Sequence, residues 1–117
     1  MQVIKPTTFA DVDLISSNAV ETYAAYSAAT TYTKDAIVDY GTHYYISLVN
    51  SNLNHQPDIS PTFWLLKGPD NTHAMFDGAV DSRTTSTSPL TVTVKTGTIN
   101  SAAFINLTGT ALTVTAR

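Results

Sequence analysis

Apolar and polar residues alternate with a two-residue period in several short runs. Ile37-Val38-Asp39-Tyr40 and Tyr44-Tyr45-Ile46-Ser47-Leu48-Val49 are rich in β-branched and aromatic side chains. Gly41-Thr42-His43 between them can reverse the chain, so the pair is predicted to form a hairpin. Strand alternation sets Tyr44, Ile46 and Leu48 on one face and Tyr45, Ser47 and Val49 on the other. The connection from Asn50 to Asp58 is dense in turn formers and reads as a surface loop. Phe63-Trp64-Leu65-Leu66 then returns as a third short strand, bounded by Pro61 before it and Gly68-Pro69 after it.

The same pattern resumes later in the chain. Leu90-Thr91-Val92-Thr93-Val94-Lys95 alternates as a half-buried strand should. Ala102 to Leu107 and Ala111 to Thr115 do much the same, with Thr108-Gly109-Thr110 as a hairpin turn between them. Near the start, Phe9 to Ile15 fits either a short helix or an extended arm, and Ser16-Ser17-Asn18 breaks it. An arm is the preferred reading. It has too few apolar residues to fold alone, so it packs on its own domain or reaches to a neighbour. The predicted class is therefore mainly β: an N-terminal arm over 1–22, a small three-stranded aromatic-core module over 23–68, and an antiparallel β-unit, a partial sandwich, over 69–117. The run from Ala111 to Arg117 leaves a strand edge that invites pairing with another chain.

Composition narrows the possible functions. With 117 residues, a net charge of -3 and 13% charged residues, the chain offers no clustered basic face for nucleic acid. It contains no cysteine, which removes disulfides, thiolate metal sites and cysteine nucleophiles. No run reaches membrane-spanning length and Met1 to Pro6 lacks an apolar leader, so assembly in a cytoplasm is expected, without membrane insertion.

Catalysis is not expected either. His43, His55 and His73 have no zinc-site spacing, and no serine lies in a G-x-S-x-G elbow. The carboxylate pairs Asp35/Asp39 and Asp77/Asp81 have no deep cleft to work in and read as solvated loop groups. Asp11 and Asp13 supply fewer oxygens than a cation site needs. No catalytic, cofactor-binding or metal-binding residue is assigned.

The aromatic residues carry what remains. Tyr32, Tyr40, Tyr44 and Trp64 are expected to fill the core of the small module. Tyr26 and Tyr45 are the candidates for an exposed surface, with Asn50, Asn54 and His55 of the adjoining loop as hydrogen-bonding partners. Such a surface suits a glycan or a protein partner.

Read in order, Tyr26, Tyr32, Val38, Tyr40, Gly41, Tyr44, Pro57 and Trp64 resemble the chitin-binding, family 5/12 type of carbohydrate-binding module. Asp35-Ala36 stands where that family has Gly-Asp, and Leu48 where chitin binders place an exposed Trp. Ala74-Met75-Phe76-Asp77-Gly78, the Thr-rich stretch after it, the Leu-Thr-Val-Thr-Val run and the segment Leu14 to Glu21 are similar to bacteriophage tail proteins that carry such a module near their N-terminus. His73 takes the place of their usual Trp. The resemblance implies a structural virion component of the tail tip or baseplate, held with other tail proteins and as a homo-oligomer in an assembly. The alternative is a carbohydrate-binding module for a host-surface or polymeric glycan.

Overall fold

The computed structural model describes residues 9–10, 13–79, 81–98, 102–104 and 107–115, and in them the chain is mainly β. Its centre is the expected hairpin. Strand β3 is Ile37–Tyr40 and β4 is His43–Ser47, paired antiparallel with Tyr40 opposite His43 and Ile37 opposite Ile46. Gly41 and Thr42 make the turn, and only Gly41 has a positive φ, of 70°. Glycine at the first of two central positions is the type II′ arrangement, whose twist matches that of the flanking strands. Strand β6, Trp64–Pro69, adds to the other side of β4 and completes a three-stranded sheet in the order β3-β4-β6.

Strand β6 runs further than the sequence suggests, because Gly68 and Pro69 stay in register opposite Tyr44 and His43. Proline has no N–H to donate, and an edge strand tolerates that loss. The register shifts between Leu66 and Gly68, leaving Lys67 as the extra residue of a bulge. Two shorter pairs flank the sheet. Strand β2, Thr31–Tyr32, pairs with β5, Asn52–Leu53, and so closes the loop back onto the module.

Partners across a ladder share a face. Val38, Tyr45, Ser47, Trp64 and Leu66 therefore lie on one side of the sheet, and Ile37, Asp39, Tyr44, Ile46 and Leu65 on the other. Val38, Ser47 and Trp64 are buried on the first side, and Tyr44 on the second. Trp64 is only 2% exposed, and full burial of a side chain of this kind contributes about 1.5–3 kcal/mol. The polar residues Ser47, Asn52, Asp70 and Asn71 are buried as well. This core is held by satisfied hydrogen bonds as much as by apolar contact.

The two ends of the chain compare differently with expectation. From Leu14 to Ser17 the N-terminal segment is extended and packs on its own chain. Leu14–Ser17 forms strand β1 and pairs antiparallel with β7, Val92–Val94. Asn18 extends the junction: its amide N–H donates to the Thr91 carbonyl, its side-chain carbonyl accepts from the Thr91 N–H, and its Nδ2 donates to the Pro89 carbonyl. The Leu90–Lys95 run is thus a strand, but its partner lies some 75 residues earlier. The described residues 102–104 and 107–115 carry no strand, and Thr108-Gly109-Thr110 closes no hairpin there. Asp11, Ile105, Asn106, Ala116 and Arg117 lie outside the described residues.

Candidate functional site

The two faces of the sheet carry two different clusters. On the Trp64 side four rings meet. Tyr26 stacks with Tyr32 at a centroid distance of 5.8 Å and meets Tyr40 and Trp64 edge-on at 5.7 and 6.0 Å. Tyr32 meets Trp64 at 5.3 Å. These separations suit offset and edge-to-face attraction between aromatic quadrupoles. The Trp64 Nε1–H donates to the His55 carbonyl at 2.7 Å, which satisfies the buried indole. Tyr32 and Tyr40 are half-buried rather than enclosed, while Tyr44 and Trp64 are buried.

The loop beneath this cluster is fixed from inside. Asn52, 1% exposed, donates from Nδ2 to Ser47 Oγ and to the Phe63 carbonyl. Its Oδ1 lies 2.9 Å from His55 Nδ1. His55 also stacks on Phe63. Ser51 and Asn54 take up positive φ angles of 56° and 58°, a region that short polar side chains tolerate better than most.

The five residues singled out from the sequence fall into separate roles. Tyr26 belongs to the ring cluster, half-buried. Burial, with Tyr32 and Tyr40 beside it, pushes its hydroxyl above the ordinary tyrosine range. Tyr45 is half-buried on the same side of the sheet, and burial, with Asp58 and Tyr40 nearby, raises its hydroxyl too. Tyr40 thus neighbours both. Asn50 uses its side-chain carbonyl to accept from the Lys34 N–H. His55 is engaged with Asn52 and Phe63. Asn54 is exposed, and its side chain makes no hydrogen bond among the described residues.

The opposite face carries a cluster that sequence reasoning missed. Glu21 reaches the sheet from the segment after β1, and its carboxylate accepts from four donors. These are the Tyr44 hydroxyl at 2.6 Å, the Asn71 N–H at 2.8 Å, the Thr72 N–H at 3.1 Å and the Thr72 hydroxyl. The Tyr44 oxygen in turn accepts from the Thr22 N–H. Asn71 completes the clasp by donating to the Val20 and Thr85 carbonyls and accepting from the Thr85 N–H. Four segments distant in sequence, around Glu21, Tyr44, Asn71 and Thr85, are tied at one point. A cleft of about 260 Å³ opens beside it, between Val20 and the Thr85–Ser88 stretch.

Charge accumulates at the same place. Carboxylate oxygens of Glu21, Asp39 and Asp70 lie within 4.8 Å of one another. Asp70 is occupied by His73, accepting from its N–H at 2.8 Å and pairing with Nδ1 at 2.7 Å. Asp39 Oδ1 is buried without a hydrogen-bond partner among the described residues. Burial, then the charges of Glu21 and Asp70, raise the Asp39 carboxyl above its ordinary range, with His73 acting in the other direction. Burial also acts to raise Glu21, yet the hydrogen bonds from Thr72, Tyr44 and the Asn71 and Thr72 amides outweigh it and leave that carboxyl lowered. Burial and the bond to Glu21 raise Tyr44. The arrangement divides labour: an ionised Glu21 gathers donors, and Asp39 is the group under strain.

The hairpin did not point this way either, since a turn over Gly41-Thr42-His43 sets Asp39 opposite Tyr45, whereas the two-residue turn of the structure sets it opposite Tyr44. Glu21 and Asp70 are remote in sequence and nothing local marks them. Asp35, considered from the sequence as a companion of Asp39, stands exposed at a φ of 68° and is not among the clustered carboxylates. Compared with known proteins, the chain matches no protein-family model, no curated protein and no solved structure.

Proposed function

We propose that this chain is a structural component of a bacteriophage virion, in the tail tip or baseplate region, linking or decorating other tail proteins through exposed β-surface. The observation that carries the reading is a disproportion between core and surface. Among the described residues the buried hydrophobics are Val38, Tyr44, Trp64 and Ala74, whereas large apolar side chains stand exposed from Ile15 to Val114. Apolar surface on that scale marks interaction rather than a self-sufficient globule. The likeness of the Leu14–Glu21 and Ala74–Gly78 segments to tail proteins supports the same reading. The test is mass spectrometry of purified particles, with co-sedimentation of the purified chain. Absence from both defeats it.

A second reading is kept alive by the half-exposed, near-parallel Tyr26/Tyr32 pair, with an interplanar angle of 24°. Stacked aromatic planes of this sort suit sugar C–H faces, which makes a carbohydrate-binding module the alternative. Retention on chitin or cell-wall polysaccharide, lost in Tyr26→Ala and in Tyr45→Ala on the same side of the sheet, favours it. A chain with no glycan affinity rules it out.

A further inference from the structure

The C-terminal third presents a contradiction between pattern and burial. Its sequence alternates like half-buried strands, yet among the described residues none after Ala74 is buried. Phe104, Leu107, Leu112 and Val114 are 50%, 59%, 51% and 64% exposed. The Cα radius of gyration is 16.9 Å, against about 13 Å for a compact chain of this length. Exposed apolar surface of this kind is what an interaction partner covers.

An internal repeat says what. The tetrapeptide Leu-Thr-Val-Thr occurs twice, at 90–93 and at 112–115. The first copy leads into β7 and is paired with β1. The second forms no strand, although its residues are the same. The first copy is a strand where β1 offers it an edge, and the β1·β7 ribbon has a further edge that the second copy does not occupy in its own chain. Strand β1 is bulged at Ile15, between Leu14 and Ser16, which spoils its outer edge as a template. Strand β7 is unbulged, and among the described residues no ladder bond engages its outer side.

We propose that residues 112–115 of one copy add as a strand to the outer edge of β7 in a second copy of this chain. The inference rests on the reading of the chain as an assembly component and names its partner. Charge favours a copy over a foreign protein. From Thr84 to Thr115 the only charged residue is Lys95, and all the acidic residues fall between Asp11 and Asp81. In the antiparallel register that sets Thr113 opposite Thr93 and Val114 opposite Val92, Lys95 of one copy falls opposite the uncharged Ala111 of the other, and no charged feature selects an oppositely charged partner. Thr beside Thr and Val beside Val across the new ladder are favourable neighbours. Strand addition of this kind supplies main-chain hydrogen bonds for affinity and alternate side chains for register.

Sedimentation velocity of the full chain between about 1 and 100 µM is the experiment, alongside Val114→Pro and Leu112→Asp. Both positions are exposed and far in sequence from the aromatic module, whose near-ultraviolet circular dichroism serves as the folding control. Self-association of the wild type is expected, with both variants dissociating at roughly tenfold or more higher concentration. Hydrogen exchange should show amides 112–115 gaining protection as wild-type concentration rises. A wild type that stays monomeric overturns the proposal, whether 112–115 are then unprotected or are protected independently of concentration by their own chain. Association unaffected by either variant overturns it too. A chain that associates through 112–115 but is missing from purified particles sinks the virion reading and leaves this inference standing. A particle-borne monomer does the reverse.

Discussion

Asp39→Asn should make the protein more stable at neutral pH, and the gain should disappear in acid. In the wild type the Asp39 carboxylate lies within 4.8 Å of those of Glu21 and Asp70. Two unit charges at that separation repel by about 3.5 kcal/mol at an effective dielectric constant of about 20. His73, paired with Asp70, offsets part of this when protonated, and Asp39 sheds more by holding its proton to higher pH. An amide removes the charge and offers its N–H groups to the two remaining carboxylates. The net gain should be roughly 1–2 kcal/mol above neutrality. The sign follows from linkage. Because the folded carboxyl is raised above its ordinary value of 3.8, the stability that Asp39 contributes is fully present below that pH. It is lost as pH rises through the folded value. The advantage of the Asn variant should therefore be absent in acid, grow above the ordinary value and level off. Urea unfolding of both proteins across a pH series, monitored by Trp64 fluorescence, measures it. An Asn variant less stable than wild type at pH 8, or a gain independent of pH, would refute the electrostatic account of this cluster.

Three further perturbations probe the same structure. Glu21→Gln sets an amide against donors that need an acceptor and should cost about 1.5–3 kcal/mol near pH 7. Since Glu21 is lowered from its ordinary 4.5, this deficit should shrink as pH falls through the folded value, and a deficit that persists unchanged in strong acid would count against the clasp. Asn52→Ala removes the bonds to Ser47 Oγ, the Phe63 carbonyl and His55. It should destabilise by about 2–3 kcal/mol in a denaturant titration, and a loss under about 0.5 kcal/mol would show that the loop is held by other means. Gly41→Ala meets no atom within 4 Å of the new Cβ. Only the left-handed backbone is penalised, so thermal unfolding should report a loss of about 1–2 kcal/mol. Gly41→Asn should recover part of that loss.

How much of this was readable in advance depends on the range over which each feature is decided. The β3–β4 hairpin is a local object. Its alternation, its β-branched strands and the glycine at the turn are contained in ten or so adjacent residues, and these sufficed to foresee the hairpin but not its register: the turn expected over Gly41-Thr42-His43 is two residues long, so His43 joins β4 and Asp39 faces Tyr44. The mainly β class followed from the same two-residue period. Tyr26 as a half-exposed ring and Asn52, buried inside a loop that reads as surface, mark where this local logic stopped.

The pairing of β1 with β7 and the gathering of Glu21, Asp39 and Asp70 were decided only by the tertiary structure. A strand pattern states that a segment wants a partner and which face it will bury, but not whose edge it will meet. Leu-Thr-Val-Thr at 90–93 finds β1, while the same residues at 112–115 find no strand partner among the described residues. A carboxylate likewise carries no local sign of its neighbours. Glu21 is bound by donors about 23 and 50 residues away, and only the folded chain brings their dipoles and charges close enough to set its protonation.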